Sequence, residues 1–195
     1  MPTDALPSSW RTAPAFVFAP VASELPEAWV EMPAPGACVA FGWQGILRNL
    51  APGERVTPRA PGPTPFLARA DILSFSRHDV PPGTDLRHIG AWLGDRCDVL
   101  LTAGRHGGML LRIHAGRIIH ARAYPSLPST VEVDPTGAGD TMLAGLVAAR
   151  LAGGEEAQAL GHDLFTGAIS ASLLVEGPGM GSVPTLAQLR RRLLA

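Results

Sequence analysis

Apolar residues along the chain fall into short runs separated by proline, glycine and polar clusters: Ala15–Ala19, Ala37–Phe41, Asp71–Phe75 and Val99–Thr102. Near-continuous runs of this length suit strands buried on both faces of a mostly parallel sheet. Met109–Ile113 and Arg117–Ala121 flank His114-Ala115-Gly116 and predict a hairpin. The spacing then becomes helical. Helices are predicted over Ala138–Leu151, Glu155–Val175 and Thr185–Leu194. A shorter one is predicted over Asp85–Leu93, where Leu86, Ile89 and Leu93 share a face. Strands alternating with helices indicate an α/β fold, a mainly parallel sheet flanked by helices. Proline punctuates this pattern unevenly, with 12 of 19 in residues 1–65. The first third therefore reads as strands and loops, with Arg59–Pro65 a stiff surface loop, and 66–195 as regular α/β. A single domain over 1–195 is the expectation for this length.

Composition narrows the chemistry. A net charge of −1 leaves no basic footprint for nucleic acid or an anionic membrane. All 16 basic residues are arginine. Without lysine the chain has no Walker-A loop, no Ser-x-x-Lys nucleophile and no Schiff-base chemistry. Cys38 and Cys97, in apolar surroundings and outside any C-x-x-C pattern, read as core thiols of a reducing compartment. The start, Met1 to Ala5, lacks the positive flank and apolar stretch of a signal peptide. The longest charge-free run, Met32–Leu47, is 16 residues and is broken by prolines and glycines, so it is too short to span a bilayer. A soluble, cytoplasmic protein is expected.

The informative stretch is VEVDPTGAGDTMLAGLVAARL at 131–151. A β-rich run ends at Asp134, Pro135 starts a turn, and Gly137-Ala138-Gly139 leads into a helix. Glycine permits unusual dihedrals and leaves no Cβ to obstruct a ligand. Amides of the first helical turn point outward at the positive end of the helix dipole, an arrangement that binds anions and phosphate above all. Asp140 beside them can receive a proton from a hydroxyl while the amides meet negative charge on a transferred phosphoryl group. A capping aspartate on an ordinary helix after a glycine turn fits the same letters.

D-P-T-G-A-G-D-T-M-L-A-G-L at 134–146 resembles the C-terminal signature of the ribokinase-like (PfkB) carbohydrate kinase family. The resemblance implies phosphoryl transfer from ATP, with Mg²⁺, to a hydroxyl of a sugar or polyol. Asp140 would be the catalytic base, and the backbone of Gly137, Ala138 and Gly139 the anion hole. Thr102, Gly104 and Gly107, in T-A-G-R-H-G, resemble the family's nucleotide-site turn, although an ordinary strand-turn reads the same way. Ser76-Arg77-His78-Asp79 stands where many members carry N-x-x-E near Mg²⁺ and phosphates. Ser76 would then lie near the nucleotide and Asp79 near the metal, a departure from the family letters. Gly177 and Gly179 resemble the loop beside adenine. Residues matching Asp134 and Thr136 hold a monovalent cation in some members. Trp43-Gln44-Gly45-Ile46-Leu47-Arg48 is similar to the Q-G-x-x-R stretch of an inositol-kinase-like branch, with Arg48 directed to a phosphate or substrate; a structural loop arginine is the other reading.

The resemblance runs from about Phe16 to Leu194 but covers only the C-terminal two-thirds of a usual member. The expected fold is thus a truncated ribokinase-like core lacking the N-terminal units and the β lid. A kinase, a catalytically silent nucleotide-binding protein and a fragment all follow as readings. Loss of the first strands would expose a sheet edge, so a homodimer is expected to cover it.

Overall fold

The computed structural model describes residues 6–194, apart from the side chains of Leu86 and 157–160. The signal-peptide reading of Met1 to Ala5 lies outside these residues. The chain divides into two compact units, one running up to Ala103 and including Met109–Ala123, the other formed by Gly104–Gly108 and 124–194. The fall in proline content at residue 65 marks no boundary.

The first unit is built on a sheet of β1 (Ala15–Phe18), β2 (Cys38–Gly42), β5 (Ile72–Ser76), β6 (Arg96–Thr102), β7 (Gly108–His114) and β8 (Arg117–Tyr124), in that spatial order. The pairs β1–β2, β2–β5 and β5–β6 are parallel, in register at Phe16↔Val39, Phe41↔Leu73 and Leu73↔Val99. Strands β2, β5 and β6 are buried nearly throughout, which is why their sequences are apolar without alternation. Strand β1 differs from expectation: it is an edge strand, and Val17 is exposed. Strand β6 begins at Arg96, three residues before the apolar run. The hairpin turn is Ala115-Gly116, both at positive φ, so His114 stays in β7.

Two short strands, β3 (Arg48–Asn49) and β4 (Thr57–Pro58), pair antiparallel in the proline-rich third. Pro65, read as the end of a loop, instead opens helix α1 (Pro65–Arg69) after the Thr64 cap, whose side chain accepts from the Leu67 N–H. Phe66 of α1 stacks on Phe41 with centroids 4.9 Å apart. Trp43 meets Phe75 and Trp92 edge to face. Full burial of a ring such as Phe41, Phe66 or Phe75 stabilises the unit by about 1.5–3 kcal/mol. Helix α2 (Leu86–Gly90) is shorter than predicted, and Leu93 packs on the core from beyond its end. Cys97 is buried as expected, but Cys38 is only half-buried.

The second unit is helical. Val131–Asp134 is not a strand: the Val133 and Asp134 N–H groups both donate to the Val175 carbonyl, and Val131 and Val133 are exposed. Helix α3 runs Ala138–Leu160 with a non-helical Gly154 inside it. The helix resumes after Gly154, where the pattern predicted a new one, but Gly161 at φ +73° interrupts it, and α4 (His162–Leu174) follows. The buried Asp163 of α4 accepts from Arg150 Nε of α3 at 2.6 Å. Helix α5 (Leu186–Leu193) starts from a capping box between Thr185 and Gln188. No helix among the described residues is long and apolar enough to cross a membrane.

Candidate functional site

The predicted site residues divide between the two units. In the second, the start of α3 is shaped by a turn in which Asp134 Oδ1 accepts from the Thr136 N–H at 2.9 Å. Gly137 comes next at φ +83°, a conformation that glycine adopts without strain. The Ala138 N–H donates to the Pro135 carbonyl at 3.1 Å, so this amide is not bare as the sequence led us to expect. The N–H groups of Gly137, Gly139 and Asp140 have no acceptor among the described residues. The Asp140 side chain likewise has no hydrogen bond or ion pair among them. Partial desolvation raises its carboxyl above the usual aspartate range. An unpartnered carboxylate of raised basicity thus stands among open amides at the positive end of a long helix.

The same turn is tied to the glycine loop beyond α4. Asp134 Oδ2 accepts from the Gly179 N–H at 3.2 Å, and hydrogen bonds from Thr136 and Gly179 hold this carboxyl below its ordinary value. Asp134, Thr136 and Gly179 are therefore brought together. Both carboxylate oxygens already accept amides, which leaves Asp134 organised as a hinge of the turn. Gly177 sits against the Ser182 side chain. Glu176 accepts from the Thr130 N–H at 2.6 Å and, through both its oxygens, from Arg192 Nη2 at 2.7 and 2.9 Å. In the 104–108 segment the Gly107 N–H donates to the Gly104 carbonyl at 3.0 Å, and Gly107 is packed against the backbone of Tyr124. Tyr124 donates to Met142 Sδ, and burial pushes its phenol up.

The first unit brings together two motifs that lie far apart in sequence. Strands β2 and β5 are parallel neighbours, so the segments leaving their carboxyl ends converge. After β2, a 3-10 turn at Gln44–Leu47 leads to Arg48; Ser76 ends β5 and Asp79 follows it. Asp79 is 8% exposed. Its Oδ1 accepts from Gln44 Nε2 at 3.1 Å and Arg48 Nη2 at 3.3 Å, and its Oδ2 from the Ser76 N–H at 2.8 Å. Sequence reasoning gives Gln44 no role; its position four residues before Arg48 is the only hint. The Ser76 hydroxyl is engaged with His78. Thr102 closes β6, its hydroxyl 3.5 Å from the Phe75 carbonyl. An open pocket of about 600 Å³, lined by residues including Pro61, Thr84, His88 and Trp92, contains none of the predicted residues.

The family's Mg²⁺ can be tested against this geometry. No group of three or more His, Cys, Asp or Glu suited to a metal exists among the described residues. Asp79, the carboxylate the sequence placed near the metal, already accepts from three donors, one of them cationic. It does not fit a hard cation that demands an open set of oxygens.

Residues 87–186 match the sequence model described as pfkB family carbohydrate kinase. The chain belongs to this family. No curated protein matches the sequence. Among solved structures, a ribokinase of Arabidopsis thaliana complexed with ribose and ATP is 23% identical, with a TM-score of 0.67 over 94% of this chain and 56% of its own. A ribokinase of Giardia lamblia gives 15% identity, a TM-score of 0.69 and coverage of 94% and 60%. The aminoimidazole riboside kinase of Salmonella enterica, complexed with its riboside and an ATP analog, gives 18%, 0.58, and 81% and 52%. This pfkB family chain therefore shares the ribokinase fold and spans a little over half the length of these structures. The proposed likeness to an inositol-kinase branch finds no match among them.

Proposed function

We propose that the chain transfers the γ-phosphoryl group of ATP to a hydroxyl of a sugar or polyol. Asp140 takes the hydroxyl proton, the freed oxygen forms its bond to phosphorus, and the bond from phosphorus to the ADP oxygen breaks. The amides of Gly137 and Gly139 meet the negative charge that grows on the phosphoryl oxygens. Within the second unit, Gly104 and Gly107, with Gly177 and Gly179, are the residues given to the nucleotide. Asp79, which already accepts from three donors, is not a resident Mg²⁺ ligand in this reading, and Asp134, with both oxygens accepting amides, is held in the turn beside Thr136. The observation that carries this reading is the unpartnered Asp140 carboxylate beside open amides.

Asp140→Asn tests it. Turnover should fall by about 10²–10⁴-fold, the contribution of a positioned base, while ATP affinity stays within a few-fold. The base must be ionised to work, so activity of the parent should be present above the Asp140 pKa and lost as pH falls through it. With that pKa raised in the unliganded chain, the acid limb of kcat/KM lies above the ordinary aspartate value of about 3.9. Equal rates in parent and variant would remove Asp140 from the reaction. The second reading is a nucleotide-binding protein that does not turn over; ATP binding without ADP release across a panel of sugars and polyols would establish it.

A further inference from the structure

A carboxylate as buried as Asp79 is tolerated only when its charge is balanced and both its oxygens are hydrogen-bonded. The chain does both with residues from two strand ends. The Ser76 N–H fixes Oδ2, which leaves Oδ1 aimed at Gln44 Nε2 and Arg48 Nη2. Arg48 is not consumed by this contact. Its side chain is 34% exposed, and its Nε and Nη1 have no partner among the described residues. A guanidinium anchored through one nitrogen and open at the others is pre-organised to grip an anionic oxygen pair. Its place, past the carboxyl ends of parallel β2 and β5, is where α/β sheets bind ligands. For Mg²⁺ to use Asp79, Arg48 and Gln44 would have to leave Oδ1.

We propose that Asp79 is a positioning residue that holds Arg48 as the phosphate-binding cation of the first unit, and that it is not a metal ligand. The proposal deepens the phosphotransferase reading and rests on it. Two probes test it on the full chain: ADP in the presence of EDTA, followed calorimetrically, and Mn²⁺ alone, followed by its paramagnetic resonance signal. Arg48→Ala should weaken ADP binding by about 10–100-fold, the loss of a charge-assisted contact. Arg48→Lys should fail to restore it, because a point charge lacks the fork. Asp79→Asn should weaken ADP by about 10-fold, and the double variant should be no weaker than Arg48→Ala, since Asp79 acts through Arg48. Asp79→Glu keeps the charge if the asparagine variant does not fold, and should also weaken ADP by displacing the anchor. Mn²⁺ binding should be the same in parent and all variants. Losses that multiply in the double variant, or Mn²⁺ binding that vanishes with Asp79→Asn or Asp79→Glu, overturn the proposal. A parent that binds no ADP at all overturns the phosphotransferase reading, and with it the role given to Arg48.

Discussion

Replacing Asp163 with leucine removes one half of a buried ion pair, and the structure fixes what that should do. The Asp163 side chain is 1% exposed and that of Arg150 11%, with Nε and Oδ2 2.6 Å apart. Neither charge is held by solvent, so deleting the carboxylate removes a 2.6 Å charge-assisted contact from the guanidinium in the α3–α4 interface. Breaking a buried pair by removing one partner destabilises by up to about 3–5 kcal/mol. Total stabilities of folded domains run to about 5–15 kcal/mol, so about a fifth or more of the margin is at stake. Asp163 Oδ1 also accepts from the Leu164 N–H at 2.7 Å in the first turn of α4, and that contact goes as well. Asp163→Asn keeps the shape and a neutral acceptor, and should lose about half as much. The decisive comparison is Arg150→Met with Asp163→Leu: replacing both charges by apolar groups of similar bulk should lie within about 1 kcal/mol of the parent, because desolvation of the pair offsets most of its attraction. Urea unfolding at fixed slope measures each variant. A single leucine variant that loses less than about 1 kcal/mol, or a double variant as weak as the single, would show that burial of this pair does not govern the α3–α4 packing.

Gly45→Ala should disturb the turn that carries Gln44 and Arg48, because a Cβ there would run into the Pro20 carbonyl and lie 2.8 Å from the Val21 nitrogen, backbone atoms that cannot rotate away; a loss of about 1–3 kcal/mol in urea unfolding is expected, and a neutral result contradicts the packing described. Glu176 has its carboxyl held below the ordinary value by the Thr130 N–H and by Arg192, so its stabilising contribution is present above the unfolded-state pKa and lost as pH falls through the folded one. Glu176→Gln should therefore lower thermal stability at pH 7 by about 1 kcal/mol, with the gap to the parent closing at acid pH; a gap that widens on acidification reverses the assigned sign.

What could be read from the sequence depended on how local the deciding interaction was. Strands β2, β5 and β6 were legible because burial on both faces leaves an uninterrupted apolar string, whatever the partners are. The turn at 134–140 was legible for a similar reason, since its Asx contact, its positive-φ glycine and its helix start all lie within seven residues. Val131–Asp134 misled because alternating β-branched residues state only a preference, and the sheet partner that would realise it is replaced by one carbonyl, that of Val175. Helix α1 was hidden by the density of prolines around it, although Thr64-Pro65 is itself a helix-start signal. The Asp79 cluster lay beyond local reading altogether. Asp79 stands 31 residues from Arg48 and 35 from Gln44, and their meeting is due to β2 and β5 being neighbours, a consequence of strand order. That order also decides the chemistry. A carboxylate after β5 looks like a metal ligand when only its own segment is considered, and becomes an anchor for a cation once the end of β2 is placed beside it. Motif letters therefore constrain the residue types at a strand end, whereas the neighbouring strand determines whether the carboxylate is available or already neutralised.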